Sequence, residues 1–277
     1  MRLLDMGCGW GALIIHAASH YGVEAVGLTV SPEQAEVARQ RIREAGVDQR
    51  CRVEVEDFLA WREPESFDRI TSVGAAEHVA ENRFEDYFKL AFGSLRPGGQ
   101  FLHHAITRAP SVPDRPGRSF NHCYVFPDHF LATIGQTLSA AEAAGFEARD
   151  SESLREHYAL TLKHWLQRFE AAQGDLQKLT DEVSCRVFRL YLAGTAYEFQ
   201  CGRVNLHQSL LVKSNGGQSG VPLTRRDWYR SDDLPAGMRL SHGNYATDGA
   251  GGRPSIEWLI VVLKGSIGCP GRCGGCV

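Results

Sequence analysis

The segment Leu3-Leu4-Asp5-Met6-Gly7-Cys8-Gly9-Trp10-Gly11 constrains the fold more than any other part of this chain. A short apolar run ends in an acid. Glycines then alternate with other residues, and a stretch with helical spacing begins at Ala12. Glycines in that position let the backbone turn tightly and let a ligand come close to it, near the positive end of the following helix. A strand, a tight turn and a helix in this order open a parallel α/β unit.

The pattern then repeats. Residues 24–30 read as a second strand. Ser31-Pro32-Glu33 read as the start of a helix running to Ala45, because the serine can cap it, proline suits its first position and the acid complements its dipole. Residues 51–55 and 67–73 read as further strands. A helix over 84–95 is closed by Pro97-Gly98-Gly99, and residues 100–106 form a fifth strand. Strands alternating with helices predict a parallel sheet with right-handed crossovers. Past Thr107 the character changes. A Pro/Arg-rich loop covers 108–118, helical patterns cover 131–144, 157–171 and 179–199, and residues 147–153 and 207–213 read as two more strands. The later helices form a cap over the carboxyl ends of the strands, where open α/β sheets bind ligands. Three regions result: a nucleotide-type core over 1–107, a helical cap with returning strands of the same domain over 108–213, and a Gly/Ser/Pro-rich C-terminal segment of little structure over 214–277.

Composition narrows the partners. A net charge of -3 gives no general attraction to nucleic acid, so no nucleic-acid partner is expected. The apolar run at 256–263 is too short to span a bilayer. Of the eight cysteines the first five are scattered and show no disulfide framework, and no signal peptide is visible, which together point to a reducing cytoplasm.

Asp5 closes the first strand just before the glycine turn. An acid there suits a cationic ligand such as S-adenosylmethionine, which carries an ammonium and a sulfonium, and suits a dinucleotide pyrophosphate poorly. The second strand ends in Thr29-Val30-Ser31 with no acid for a ribose, a task Gln34 can perform. The plain alternative is that Asp5 and the glycines only build a tight turn.

At these residues the chain resembles the cyclopropane-fatty-acid and mycolic-acid cyclopropane synthase family. Trp10 within the glycine turn and the segment Gly27-Leu28-Thr29-Val30-Ser31-Pro32-Glu33-Gln34 carry the resemblance. It continues through Ser72-Val73-Gly74-Ala75-Ala76-Glu77-His78-Val79, Phe101-Leu102-His103-His104-Ala105-Ile106-Thr107, Tyr124-Val125-Phe126-Pro127, His157-Tyr158-Ala159-Leu160 with Trp165, Tyr191-Leu192-Ala193-Gly194 and Asn205-Leu206-His207-Gln208. The resemblance implies a Rossmann-like class I S-adenosylmethionine methyltransferase sheet with a helical cap insertion. It places the cofactor on Asp5, Gly7, Cys8, Gly9, Trp10, Gly11, Thr29, Ser31 and Gln34, with Asp57 and Phe58 after the third strand. It also implies a bound bicarbonate as base, held by Glu77, His104, Tyr158 and the backbone of Val73. No metal is implied.

The implied reaction places a methylene across a cis double bond of an unsaturated phospholipid acyl chain. A weak nucleophile, a transient positive charge and a proton to remove require a dry cavity and a held base. Each residue also has a bland reading: Glu77 as an acid at a helix start, His104 as a core histidine, Tyr158 as a buried tyrosine with a bonded hydroxyl. His78 and His103 are set aside on this account. Trp165 with Phe169, and Phe188 with Tyr191, are either an acyl-chain tunnel or simply core. Work on phospholipid implies contact with the inner face of the membrane from the cytoplasmic side. A homodimer is compatible with the sequence, which does not fix the oligomeric state.

Two departures from the family pattern stand out. The family carries a helical segment before the first strand, including a Cys near the bicarbonate. Its absence here suggests a fragment or a misassigned start. The late Tyr-Leu-x-Gly-Cys pattern reads Gly194-Thr195 in this chain. Near the C-terminus, Cys269, Cys273 and Cys276 have the spacing of a cluster-binding run. Their terminal position and the Gly before the last Cys argue against radical chemistry. Rival readings are a related methyltransferase making a methyl-branched lipid or acting on a small amine, and a non-catalytic remnant that binds the cofactor.

Overall fold

The computed structural model describes residues 1–113, 119–127 and 129–225. The cysteines at 269, 273 and 276, the apolar run at 256–263 and part of the 108–118 loop lie outside the described residues. A single sheet of seven strands has the order β3-β2-β1-β4-β5-β7-β6. Its first five members are β1 (Arg2–Met6), β2 (Glu24–Thr29), β3 (Cys51–Val55), β4 (Phe67–Val73) and β5 (Leu95–Arg108). They pair in parallel. Central β1 is buried along almost its whole length, as a strand covered on both faces must be. The helices α1 (Ala12–Tyr21), α2 (Pro32–Glu44) and α3 (Phe84–Ser94) supply the crossovers.

The parallel arrangement read from the first five strands holds, and the two later strands, whose direction the sequence left open, run antiparallel. The late strand β7 (Val204–Val212) inserts antiparallel between β5 and the edge strand β6 (Glu147–Ser153). Its bounds also differ from the expected 207–213. Strand β5 begins earlier than expected and runs through Pro97-Gly98-Gly99. The Gly98 N–H donates to Lys213 O at 2.7 Å and the Lys213 N–H donates to Gly99 O at 3.0 Å, so the later chain pairs with a stretch that bulges at Gly98, whose φ is +81°.

Local signals set the helix starts. Ser31 Oγ accepts the Gln34 N–H at 3.2 Å, capping α2 as its sequence predicts. In the cap, α4 (Phe120–Tyr124) and α5 (Ile134–Ala143) come first, and α5 starts with a reciprocal capping box between Thr133 and Gln136. Helix α6 (Arg155–Ala171) follows. The helix expected over 179–199 is α8 (Glu182–Gln200), and a short α7 (Gln173–Leu179) that the sequence did not suggest precedes it. Thr180 is extended between them, and Asp181 accepts both the backbone N–H and the hydroxyl of Ser184, at 2.8 and 2.7 Å. That side chain offers the backbone a helix start in place of a continuous helix.

Three apolar clusters divide the interior. One joins β1, β4 and β5 to α3 and α5 through Phe67, Tyr87, Phe88 and Phe101. A second packs α1 and α2 on β2 and β3. The third, with Leu162, Phe169, Phe188 and Phe199, holds α6, α7 and α8 together. Residues 214–225, at the start of the segment expected to have little structure, contain one bridge between Asn215 and Gln218, and Arg225 pairs with Asp150.

Candidate active site

Strand order creates the site. The connections from β1 to β2 and from β4 to β5 lead to opposite sides of the sheet, and a crevice opens between β1 and β4 at their carboxyl ends. Register puts Asp5 beside Thr71 and Val73 beside His104 on that edge. A cavity of about 630 Å³ starts there and runs up under the cap helices. The glycine turn forms its floor, with Asp5, Gly7, Cys8, Gly9 and Trp10 in the wall. Val73, Glu77, His104 and Tyr158 line the same space. A smaller recess of about 120 Å³ between α6, α7 and α8 is lined in part by Phe169 and by none of the predicted catalytic or cofactor residues.

Two glycines in the turn differ in kind. At Gly7, with φ +88°, a Cβ would stand 2.4 Å from the Ala75 Cβ, so this glycine lets the turn pack on the loop after β4. At Gly9, with φ +52°, a Cβ would meet nothing within 4 Å. Its left-handed φ favours glycine, and the space above the turn is open.

Asp5 is buried, and its Oδ1 accepts the Thr71 hydroxyl at 2.8 Å. Burial pushes its carboxyl up to about 6, against the lowering effect of the Thr71 hydrogen bond. A cation in the cavity would restore the charged form. Cys8 is held by burial and by Asp5 as a neutral thiol, pushed up to about 12.

Glu77 sits on the short turn Ala76–His78 after β4. Its backbone carbonyl accepts the Phe130 N–H at 2.8 Å, and its Oε1 accepts the Ile106 N–H at 2.7 Å. Its Oε2 is buried with no hydrogen-bond partner. Burial raises the carboxyl, and the hydrogen bond from Ile106 opposes that. His104 receives a hydrogen bond from Gln208 Nε2 at Nδ1, at 3.2 Å, so the neutral ring carries its proton on Nε2. Desolvation lowers its pKa and favours that neutral form. Tyr158 reaches down from α6, its ring 4.9 Å from that of Phe199 and 6.0 Å from that of Trp165. Burial, and then the nearby Glu77, push its phenol up to about 12.

Other predicted cofactor residues lie outside the cavity wall. Gly11 packs against Ala38 of α2. Thr29 donates its hydroxyl to Gln34 Oε1 at 2.7 Å, and Ser31 caps α2, so these residues shape the end of β2. Asp57 is exposed and accepts the Leu59 N–H, while Phe58 packs on the ring of Tyr87.

The two adjacent histidines of β5 divide by strand alternation. His103 turns into the core against Tyr87, and burial pushes it down to about 3. His78, set aside on sequence, lines the cavity. The aromatic pairs split as well: Trp165 and Tyr191 face the cavity, whereas Phe169 and Phe188 are core. Sequence reasoning missed Thr195 and Glu198, which share the cavity face of α8 with Tyr191. Their spacing of four and seven residues from Tyr191 was the available signal. Among the described residues, no cluster of three or more His, Cys, Asp or Glu is placed to hold a metal, and no helix is long and apolar enough to cross a membrane.

The sheet, the glycine turn and the cap define the fold class of S-adenosylmethionine-dependent methyltransferases. A solved cyclopropane synthase, MmaA2 from Mycobacterium tuberculosis, superimposes with a TM-score of 0.71 at 31% identity, covering 76% of this chain and 77% of that one. The family model for mycolic acid cyclopropane synthetase matches residues 1–209, and the chain belongs to that family. A probable fatty acid methyltransferase of Pseudomonas putida is 40% identical over 233 residues, which are 82% of this chain and 59% of the relative. The cyclopropane-fatty-acyl-phospholipid synthase of Escherichia coli K12 is 33% identical over 225 residues, 81% of this chain and 56% of that protein. The chain thus spans little more than half the length of these two relatives.

Proposed function

We propose that this chain carries the catalytic core of an enzyme that transfers a methylene from S-adenosylmethionine to a cis double bond of an unsaturated phospholipid acyl chain, forming a cyclopropane fatty acid. The carrying observation is the unpartnered, buried Oε2 of Glu77 in a cavity continuous with the glycine turn. Leaving such an atom unpaired costs free energy unless a ligand completes it.

S-adenosylmethionine, when bound, supplies an electrophilic methyl. Asp5 and the open backbone at Gly9 fit its cationic, backbone-hugging methionine end, and Thr29, Ser31, Gln34, Asp57 and Phe58 are the residues that would hold its adenosine. A bicarbonate in the cavity supplies a base. Glu77 Oε2, His104 Nε2, the Tyr158 hydroxyl and the backbone of Val73 form the set that would hold it. The raised phenol of Tyr158 and the neutral ring of His104 are hydrogen-bond donors at neutral pH, as an anion requires. Trp165, Phe126 and Tyr191 exclude water and tolerate positive charge on the alkyl chain. The acyl chain reaches the cavity from the inner face of the membrane, where the protein docks from the cytoplasmic side.

The test is incubation of the chain with S-adenosylmethionine and vesicles of unsaturated phospholipid, followed by mass spectrometry of the acyl chains. A gain of one methylene with loss of the double bond is expected. A methyl-branched product would assign it to the related methyltransferases instead. Cofactor binding by calorimetry without any product would mark this chain as a binding remnant.

A further inference from the structure

The cavity holds more polar groups than that base site uses. Tyr191, Thr195 and Glu198 share the side of α8 that faces it. Thr195 is 9% exposed, and its Oγ1 is buried with no hydrogen-bond partner. A helical threonine commonly turns its hydroxyl back to the carbonyl four residues earlier. Here the hydroxyl leaves the Tyr191 carbonyl alone and stands in the wall of the cavity. Glu198, by contrast, is paired with Arg203 at 3.0 Å.

Tyr158 locates the Thr195 hydroxyl. Its ring packs on Phe199, one helical turn past Thr195, and its phenol is near enough to that of Tyr191, one turn before, to act on it electrostatically. Tyr158 therefore lies against α8 at the level of Thr195. Glu77 acts on both tyrosines from below. Glu77, the two tyrosines and Thr195 all line the same cavity, with Glu77 close enough to both phenols to act on them.

The chemistry of this group is one-sided. Three hydroxyls can donate, and burial favours the protonated forms of both phenols and of the Glu77 carboxyl. A hydrocarbon chain would satisfy none of them, and a cation has no lone pairs to offer them. A compact anion with three oxygens can accept from several at once.

We infer that Thr195 is a further binding residue of the site, its Oγ1–H donating to the same small carbonate-class oxyanion that Glu77 and Tyr158 hold. The inference rests on the reading that this pocket binds bicarbonate.

The experiment titrates hydrogen carbonate calorimetrically into the full chain and its Thr195→Val, Thr195→Ser and Glu77→Gln variants, each saturated with S-adenosylhomocysteine. Valine keeps the shape of threonine and removes the hydroxyl; serine keeps the hydroxyl. Thr195→Val is expected to weaken anion binding about tenfold or more, the usual scale for a hydrogen bond to a charged group. Thr195→Ser is expected to bind within about threefold of the parent. Equal thermal midpoints without the anion would separate this effect from a structural one. If Thr195→Val does not fold, Thr195→Ser still decides: loss of binding with the hydroxyl retained overturns the inference. Binding lost in Glu77→Gln but unchanged in Thr195→Val overturns the role of Thr195 and leaves the bicarbonate reading standing. No binding by the parent chain overturns both.

Discussion

The Ile106 backbone N–H donates to Glu77 Oε1 at 2.7 Å, and this single bond fixes the carboxyl so that its other oxygen is buried without a partner. Strand β5 thereby orients a side chain on the loop after β4, and the two sheet edges meet in one site.

Glu77→Gln is expected to keep the Ile106 bond through the amide oxygen and to lower turnover by about 100-fold or more, the scale of acid–base participation. Stability moves the other way. Burial raises the Glu77 carboxyl in the folded chain, so the folded state holds its proton after the unfolded chain has released it. The parent therefore loses stability relative to Glu77→Gln as pH rises through and above the ordinary carboxylate range. Urea unfolding of both proteins at pH 4 and pH 8 checks the sign.

Asp5→Asn tests the cationic subsite. The asparagine can still accept the Thr71 hydroxyl. Burial lifts the Asp5 carboxyl to about 6 in the folded chain, above the ordinary aspartate range, so its ionisation weakens the fold progressively across that window and by a constant amount above it. Without ligand, Asp5→Asn is expected to be more stable than the parent at pH 7 by up to about 3 kcal/mol, with the difference closing near pH 4. Calorimetry should show S-adenosylmethionine binding weakened about tenfold or more. Unchanged affinity would remove Asp5 from the cofactor site.

The glycines of the turn are expected to fail differently. Gly7→Ala drives a methyl into Ala75 at positive φ and should lower the thermal midpoint markedly. Gly9→Ala meets no protein atom and should cost only about 1–2 kcal/mol for its left-handed backbone. Its main effect should be loss of cofactor affinity. Thermal melts and cofactor titrations of the two variants separate these outcomes.

Tyr158→Phe should retain the ring packing on Phe199 and Trp165, and hence the fold, while turnover falls. Because burial holds Tyr158 at about 12, the parent should show no loss of activity from this group up to about pH 10. On the acid side, desolvation lowers His104 below its ordinary value, so the neutral donor persists through neutral pH and is lost only on further acidification. A pH–rate profile with an acid limb above the ordinary histidine range would contradict this assignment.

The sequence alone determined what depends on neighbours in the chain. The glycine turn after β1, the cap formed by Ser31 with Pro32, the alternation of the first five strands and the family motifs were all legible, because φ preferences, capping and periodicity act over a few residues. Asp5, Glu77, His104 and Tyr158 were picked out as candidates through their motifs, and the fold lines one cavity with them. Tertiary structure alone decided the rest. The antiparallel insertion of β7 between β5 and β6 depends on pairing across about a hundred residues, as in the contact of His104 with Gln208. Asp181 divided α7 from α8 by a side-chain bond that competes with helical periodicity. The turning of Tyr191 and Thr195 into the cavity, with Phe188 in the core, was fixed by how α8 packs on α6. Periodicity marks the apolar face of a helix but does not say what that face meets. Packing across the whole domain settles that, and it left Thr195 Oγ1 and Glu77 Oε2 buried and unpaired in the same space.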